Sequence, residues 1–600
     1  MGGAFRMRAP TRSRVLSSGS YRIPLNSLPA FDRHFFDGSE TFTRIGTGEI
    51  GGKAQGLALL RELLTQHAEA LRDDQIDVAV PRLAVLSTDC FDEFMRMNKL
   101  YDIALSDARD DEIALAFQKG SFPPTLVGDL GALIHHVHTP LAVRSSSLLE
   151  DAMFEPFAGV YETKMIPNNQ LDADTRFRKL IEAIRFVYAS TFFRSAKTYI
   201  KATGKSIEAE KMAVIIQEVV GFRHGDRFYP NVSGVARSYN YYPTGHSKPL
   251  EGVVNLALGL GKTIVDGGIS YVYSPAYPKA KPPYRTFDEL LDQSQTRFWA
   301  VNMGKPPEYD PIRETEYLVQ VGIQEAELDE TLVGVASTYV PGEERIVNGT
   351  GVAGPRLLDF GPILKFDLIP LNPLVKRLLT LCEERVGHPV EIEFAVTLDP
   401  QKPSHGRFGF LQVRPMVVST AVVEVTPEEL AGPDVLIATE RSMGNGRVDS
   451  ITDIVYVKPE SFSASQTQAI AAEIDRLNRR LLDEGRPYLL IGFGRWGSSE
   501  PWLGIPVEWA NIAGAKVLVE ATLPSMDVEL SQGSHFFHNL SSFRVLYFPV
   551  AHSGKYAINW SWLDRQQKIS ELRYVMHVRA DRPVVVRADG RSGRGVVLHG

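Results

Sequence analysis

The chain is 600 residues long, too many for one hydrophobic core, so its length predicts roughly two to four domains. Its composition, 44% hydrophobic and 23% charged, is that of an ordinary globular protein, and the net charge of -7 provides no basic footprint for nucleic acid. Cys90 and Cys382 are the only cysteines, which excludes a disulfide framework or a cysteine-based zinc site and suits a reducing, cytoplasmic setting.

No apolar run approaches the roughly 20 residues that a membrane-spanning helix needs. The first 31 residues hold no Asp or Glu but include Arg6, Arg8, Arg12, Arg14 and several serines. Such a leader reads as a transit peptide or as a flexible tail or misplaced start, and its weak amphipathic periodicity favours the tail. Residues 1–40 are therefore expected to be a flexible extension.

The stretch GEIGGKAQGLALLRELL, Gly48 to Leu64, sets two glycines and a lysine ahead of a leucine stripe. Leu57, Leu60, Leu64 and Leu71 share one helical face, so Gly51-Gly52-Lys53 falls at a helix N-terminus, where free N–H groups favour an anion. Thr47 and Ala54 occupy slots that a Walker motif requires to be Gly and Ser or Thr, so this is not a P-loop. Next, PLAVRSSSLLEDAMFEPFAGVYET opens as a buried strand, Leu141 to Val143, and turns polar at Arg144. Residues Arg178 to Lys201 are helical in pattern, Lys211–Val220 reads as a strand, and Asn255–Gly268 is an apolar stretch ending in a glycine-rich loop.

Proline-dense connections around Pro275–Pro283 and Pro306–Pro311 precede a strand pair, PVEIEFAVT and RFGFLQVRPM. Strand side chains alternate faces, so Glu391 and Glu393 point together, as do Gln412 and Arg414. Paired as a hairpin, these strands gather two carboxylates, an amide and a guanidinium on one face. A nucleotide polyphosphate with Mg²⁺ would satisfy them, carboxylate to metal and guanidinium to phosphate; a solvated outer face with incidental salt bridges is the alternative.

Four segments, GGKAQGLALL, LAVRSSSLLEDAMFEPFAGVYET, NLALGLGKTIVDGG and EIEFAVT…FGFLQVRPM, together resemble the nucleotide-binding region of phosphoenolpyruvate synthase and pyruvate, phosphate dikinase from about Gly46 to Pro415. The resemblance implies an α+β fold in which a two-lobed ATP-grasp domain (residues 41–424) is followed by a smaller α/β domain (residues 425–600). It implies ATP and Mg²⁺ as ligands, with ATP split to AMP, the β-phosphate passing to a histidine and the γ-phosphate to water or orthophosphate. Residue by residue it implies phosphate contacts at Lys53 and Arg144, and metal and nucleotide binding at Glu393, with Glu391 in place of the usual Asp. It also puts Gln412 and Arg414 at the transferring phosphates and Gln217 beside the adenine.

Lys262 departs from the pattern, standing where relatives carry Glu. Neither the family's swivelling phosphohistidine segment nor its pyruvate-binding barrel is found after residue 420, so a complete pyruvate reaction is not expected.

In the C-terminal part, Ile470, Ile474, Leu477 and Leu481 mark one amphipathic helix. YLLIGFGRWGSSEPWLGIP contains G-x-G-x-x-G at Gly492, Gly494 and Gly497, but Ser498 to Trp502 is a poor helix start, against a dinucleotide site. It reads instead as an exposed loop whose Arg495, Trp496 and Trp502 bind a partner or ligand, or simply pack. In SQGSHFFHNL, His535 is favoured over His538 as a phosphoacceptor, since neutral imidazole is nucleophilic; a packed strand end is the alternative.

The sequence thus reads as an ATP-dependent, dikinase-like phosphotransferase with Arg144, Arg414, Gln412 and His535 as its catalytic candidates. The acceptor is His535 or an unidentified external substrate. A non-catalytic ATP-binding regulatory module and a small-molecule, antibiotic-type phosphotransferase are the alternatives. No nucleic acid or membrane partner is expected, and self-association into a homo-oligomer stays open.

Overall fold

The computed structural model describes residues 28–32, 41–148, 150, 159–202, 205–241, 247–280, 290–291, 294–416, 423–498, 500, 502–526, 528, 540, 545–590 and 592–599. Most of the expected N-terminal extension, residues 1–27 and 33–40, lies outside them.

The first sheet contains β1 (Phe42–Ile45), β3 (Leu83–Leu86), β4 (Leu141–Ser147), β5 (Thr163–Ile166) and β6 (Met212–Glu218), in the order β1-β3-β6-β4-β5. The second contains β2 (Ile76–Ala79), β7 (Val232–Arg237), β8 (Val253–Ala257), β9 (Tyr271–Tyr273), β10 (Val390–Leu398) and β11 (Gly406–Pro415), in the order β9-β8-β7-β10-β11-β2. Helix α1 (Gly51–Gln66) lies between the two. Its Leu57, Leu60 and Leu63 are buried in a cluster shared with Leu83, Val85 and Ile215 of the first sheet and Ile392, Phe410 and Val413 of the second. Truncating one such leucine to alanine costs about 2–5 kcal/mol, so α1 is the strut that sets the spacing of the sheets.

The other face of the first sheet carries α2 (Thr88–Asn98), α3 (Asp110–Lys119), α4 (Pro124–His136) and α5 (Ala173–Ser190), with α6 (Arg194–Ala202) after a break at Thr191. Because both faces are covered, β4 is buried along its length, and the polar run from Arg144 does not end it. Ser145, Ser146 and Ser147 remain in the strand because each hydroxyl finds a partner. The β10–β11 hairpin forms as its alternation predicts, with Glu391 opposite Arg414 and Glu393 opposite Gln412. α7 (Lys262–Val265) follows β8, and α8 (Leu371–Val386) packs on the second sheet through Leu378 and Cys382.

From residue 435 the chain builds a separate sheet and a separate buried cluster. Its strands are β12 (Val435–Thr439), β13 (Gly446–Val457), β14 (Tyr488–Phe493), β15 (Ala515–Ala521), β16 (Leu546–Val550), β17 (Val575–Asp589) and β18 (Arg594–Leu598). They run in the order β12-β18-β17-β13-β14-β15-β16, and β13 to β16 are parallel. α9 (Thr467–Asp483) is the crossover from β13 to β14 and buries Ile470, Ile474, Leu477 and Leu481, the face its periodicity marks. The chain is thus a mixed α and β protein. Among the described residues no helix is long and apolar enough to cross a membrane.

Candidate functional site

Gly51 starts α1 with φ +75, and a Cβ there would lie 1.8 Å from the Ser146 carbonyl oxygen. Only glycine permits so close an approach of helix start to strand. The junction is stitched by the Ser146 hydroxyl, which donates to the Ile50 carbonyl at 2.8 Å and accepts from Ala54 N–H at 3.0 Å. Lys53 is thereby carried to the end of β4, where its Nζ donates to Ser145 Oγ at 3.0 Å and to Glu150 Oε1 at 2.6 Å.

Arg144, the next residue back along β4, reaches across to the hairpin. Its guanidinium donates to Gln217 Oε1 (3.3 Å), the Leu411 carbonyl (2.9 Å) and Gln412 Oε1 (2.8 Å), and stands 3.7 Å from Glu393. The Leu411 carbonyl is available because the register slips between Glu393 and Phe394, leaving Leu411 without a partner across β10. Arg414 donates to Glu391 Oε1 (2.7 Å) and Glu393 Oε1 (2.7 Å), and Arg237 donates to Glu391 Oε2 (2.6 Å). Lys53 and Glu393 are therefore linked through two consecutive residues of one strand.

Burial decides what this arrangement can do. Arg414 is 1% exposed and Glu391 2%, whereas Lys53, Arg144 and Glu393 are 12%, 13% and 14% exposed and form an accessible rim. Lys53, Arg144, Arg237 and Arg414 outnumber Glu150, Glu391 and Glu393 by one formal positive charge, while burial pushes the adjacent Glu210 carboxyl up to about 7. Unneutralised charge at this depth is costly, so the rim favours an anion. Gln217, also buried, has a side-chain Nε2 with no hydrogen-bond partner among the described residues, a donor facing the same group. Both oxygens of Glu391 are held by arginines, and Glu393 keeps one oxygen at 3.7 Å from Arg144, beyond hydrogen-bond length.

Around Lys262 the sequence reading missed three carboxylates. Lys262 Nζ pairs with Glu314 (2.9 Å) and Asp266 (3.1 Å); burial acts to lower its pKa, and those two carboxylates more than offset it. Burial, followed by the charge of Glu314, pushes the neighbouring Glu162 up to about 8. Glu150, Arg237 and Asn255 were also missed; the signal for Glu150 was its position three residues after Ser147, whose N–H it accepts in a turn. His535 and His538 lie outside the described residues. Among the described residues no group of three or more His, Cys, Asp or Glu could hold a metal ion unaided.

Residues 47–431 match the family described as pyruvate phosphate dikinase, AMP/ATP-binding domain. The chain belongs to that family. All of the converging groups, from Lys53 to Arg414, lie inside the matched AMP/ATP-binding region. The chain is also similar to an uncharacterized phosphotransferase, YvkC, of Bacillus subtilis (strain 168), at 24% identity over 220 residues, which is 36% of this chain. It spans about a fifth of that relative, 22% of its length.

Proposed function

We propose that the chain is an ATP-dependent phosphotransferase of the dikinase type. In this reading residues 41–424 form a two-lobed ATP-grasp domain holding Mg-ATP, and residues 425–600 form a smaller α/β domain. The observation that carries it is the single excess positive charge of the group Lys53, Arg144, Arg237 and Arg414, with Lys53 and Arg144 on its partly buried rim, inside a matched AMP/ATP-binding region.

The polyphosphate would neutralise that charge. Lys53 and Arg144, on the rim, contact its oxygens. Arg414, fixed by two carboxylates, supplies a preorganised guanidinium toward the charge that develops during transfer. Gln217 donates through its unpaired Nε2. Glu393 is the carboxylate assigned to magnesium, because Glu391 could reach a metal only by releasing an arginine. A donor set with one available carboxylate fits Mg²⁺, which takes few protein ligands and completes its octahedron with phosphate oxygens and water. When bound, the ion would screen the phosphate charges and orient the phosphoryl group. The acceptor is His535 or an unidentified external substrate.

Incubation with ATP and Mg²⁺, with products separated by chromatography, tests the reading. AMP is expected; ADP as the sole nucleotide product overturns the dikinase part, and failure to bind ATP overturns the whole.

A further inference from the structure

The G-x-G-x-x-G stretch after β14 is a tightly built loop with no helix behind it. Gly494 has φ +72 and turns the chain so that Arg495 and Trp496 pair in parallel with Gly504 and Ile505. A Cβ at Gly504 would sit 2.0 Å from the Arg495 carbonyl oxygen, so the turn demands glycine there too. Trp496 is 2% exposed and donates through Nε1 to the Val519 carbonyl at 3.2 Å. The backbone of residue 495 is thus pinned from both sides.

This rigid mount aims one side chain out of the C-terminal sheet. Arg495 is 7% exposed, and its Nη1 donates to the Gly267 carbonyl at 3.0 Å, in the glycine-rich loop after α7. Three residues on, Ser270 Oγ accepts from Asn255 Nδ2 (3.2 Å), and Asn255 Oδ1 accepts from Arg237 Nη1 (3.4 Å). Arg237 holds Glu391, and Glu391 holds Arg414. A chain of hydrogen bonds, bridged only by the backbone from Gly267 to Ser270, therefore runs from the C-terminal part of the molecule to the guanidinium assigned to the transferring phosphates.

The C-terminal part is anchored independently of this contact. Asp475 accepts from Arg194 at 2.8 Å, Asp483 pairs with Lys201 at 2.7 Å, and Trp509 packs against the buried clusters on both sides. Arg495 is not needed to hold the two parts together.

We propose that Arg495 is a positioning residue for the nucleotide site: it clamps the loop after α7 at Gly267 and, through Ser270, Asn255, Arg237 and Glu391, sets the orientation of Arg414. The proposal rests on the nucleotide reading above. It gives the C-terminal part a role in ATP binding that is separate from any acceptor chemistry.

Calorimetric titration of the full-length protein with ATP and Mg²⁺ tests it, using Arg495→Ala, Arg495→Lys, Ser270→Ala and, as an interface control, Arg194→Ala. Arg495→Ala and Ser270→Ala each weaken ATP binding by roughly 5- to 50-fold, within the usual range for coupling between sites. The double variant is no weaker than either single one, since both cut the same chain. Arg495→Lys, which keeps a donor for the carbonyl, recovers much of the affinity, and Arg194→Ala binds as wild type. Wild-type affinity in Ser270→Ala or in a folded Arg495→Ala overturns the proposal and leaves the nucleotide reading standing. A wild-type protein that binds no ATP overturns the nucleotide reading itself.

Discussion

Glu391 and Asp453 meet the same local problem in two regions of the chain. Each sits on a strand, 2% and 1% exposed, with arginines on its carboxylate oxygens. Asp453 accepts from Arg486 at 2.9 Å, Arg579 at 3.1 Å and His577 Nε2 at 2.9 Å, and Arg480 donates to the other ring nitrogen of His577. Burial would raise the Asp453 pKa, but the His577, Arg486 and Arg579 hydrogen bonds outweigh it and hold the carboxyl well below the usual range. By formal charge this second cluster has the same surplus of one, Arg480, Arg486 and Arg579 against Asp453 and Glu484. Its arginines, however, are 33%, 34% and 42% exposed, so water solvates the surplus. Around Glu391 the corresponding guanidiniums are 1% and 6% exposed, and the rim cations Lys53 and Arg144 only 12% and 13%, so water reaches the surplus far less. Arginine count alone does not mark an anion site; surplus charge that water cannot reach does.

The contrast breaks most visibly at Arg414. Arg414→Ala should lower ATP turnover by roughly 10²- to 10³-fold, the usual cost of a preorganised transition-state donor. Arg414→Lys should not restore it, since one ammonium cannot bridge Glu391 and Glu393 as the guanidinium fork does. Turnover within a few-fold of wild type in a folded Arg414→Ala would remove the site. Asp453→Asn should do the opposite, lowering stability by about 3 kcal/mol, because breaking a buried ion pair strands its partners, while ATP affinity stays at the wild-type value. Chemical denaturation alongside an ATP titration reads both quantities. If ATP affinity falls with stability, the two clusters are not independent and the comparison fails.

How much of this was legible follows from how local each signal is. The leucine stripe of α1 and the alternation of Glu391, Glu393, Gln412 and Arg414 depend on neighbours a few residues apart, and both formed as the pattern predicts. Arg237 was invisible because it meets Glu391 only when β7 pairs with β10, a contact 154 residues apart in sequence. The serines after Arg144 looked like a strand end, since nothing local announces that the start of α1 will meet the Ser146 hydroxyl, a contact 96 residues apart in sequence. The Arg495 loop was read as exposed. Trp502 is, at 67%, but Arg495 and Trp496 are buried because the chain doubles back at Gly494, a long-range pairing that composition does not reveal.

The smallest expected effect concerns the carboxylates beside Lys262. Glu162 is pressed by burial and by the Glu314 charge, with Glu508 and Asp110 adding repulsion and Lys262 opposing them, and its pKa rises from 4.5 to about 8. A carboxyl with a raised folded pKa holds its proton more tightly in the native state. Its stabilising contribution is complete below 4.5 and is lost as pH rises through about 8. Glu162→Gln stays neutral throughout, so its melting temperature should match wild type at the acid end and exceed it progressively toward pH 8 and above. Lys262 keeps Glu314 and Asp266 in the variant, so the loss of its attraction to Glu162 trims that gain without reversing it. Parallel melting profiles for the two proteins would mean that Glu162 is ionised and solvated in the native state. The Lys262 cluster would then be an ordinary surface ion-pair group, and the charge contrast would be confined to the two arginine clusters.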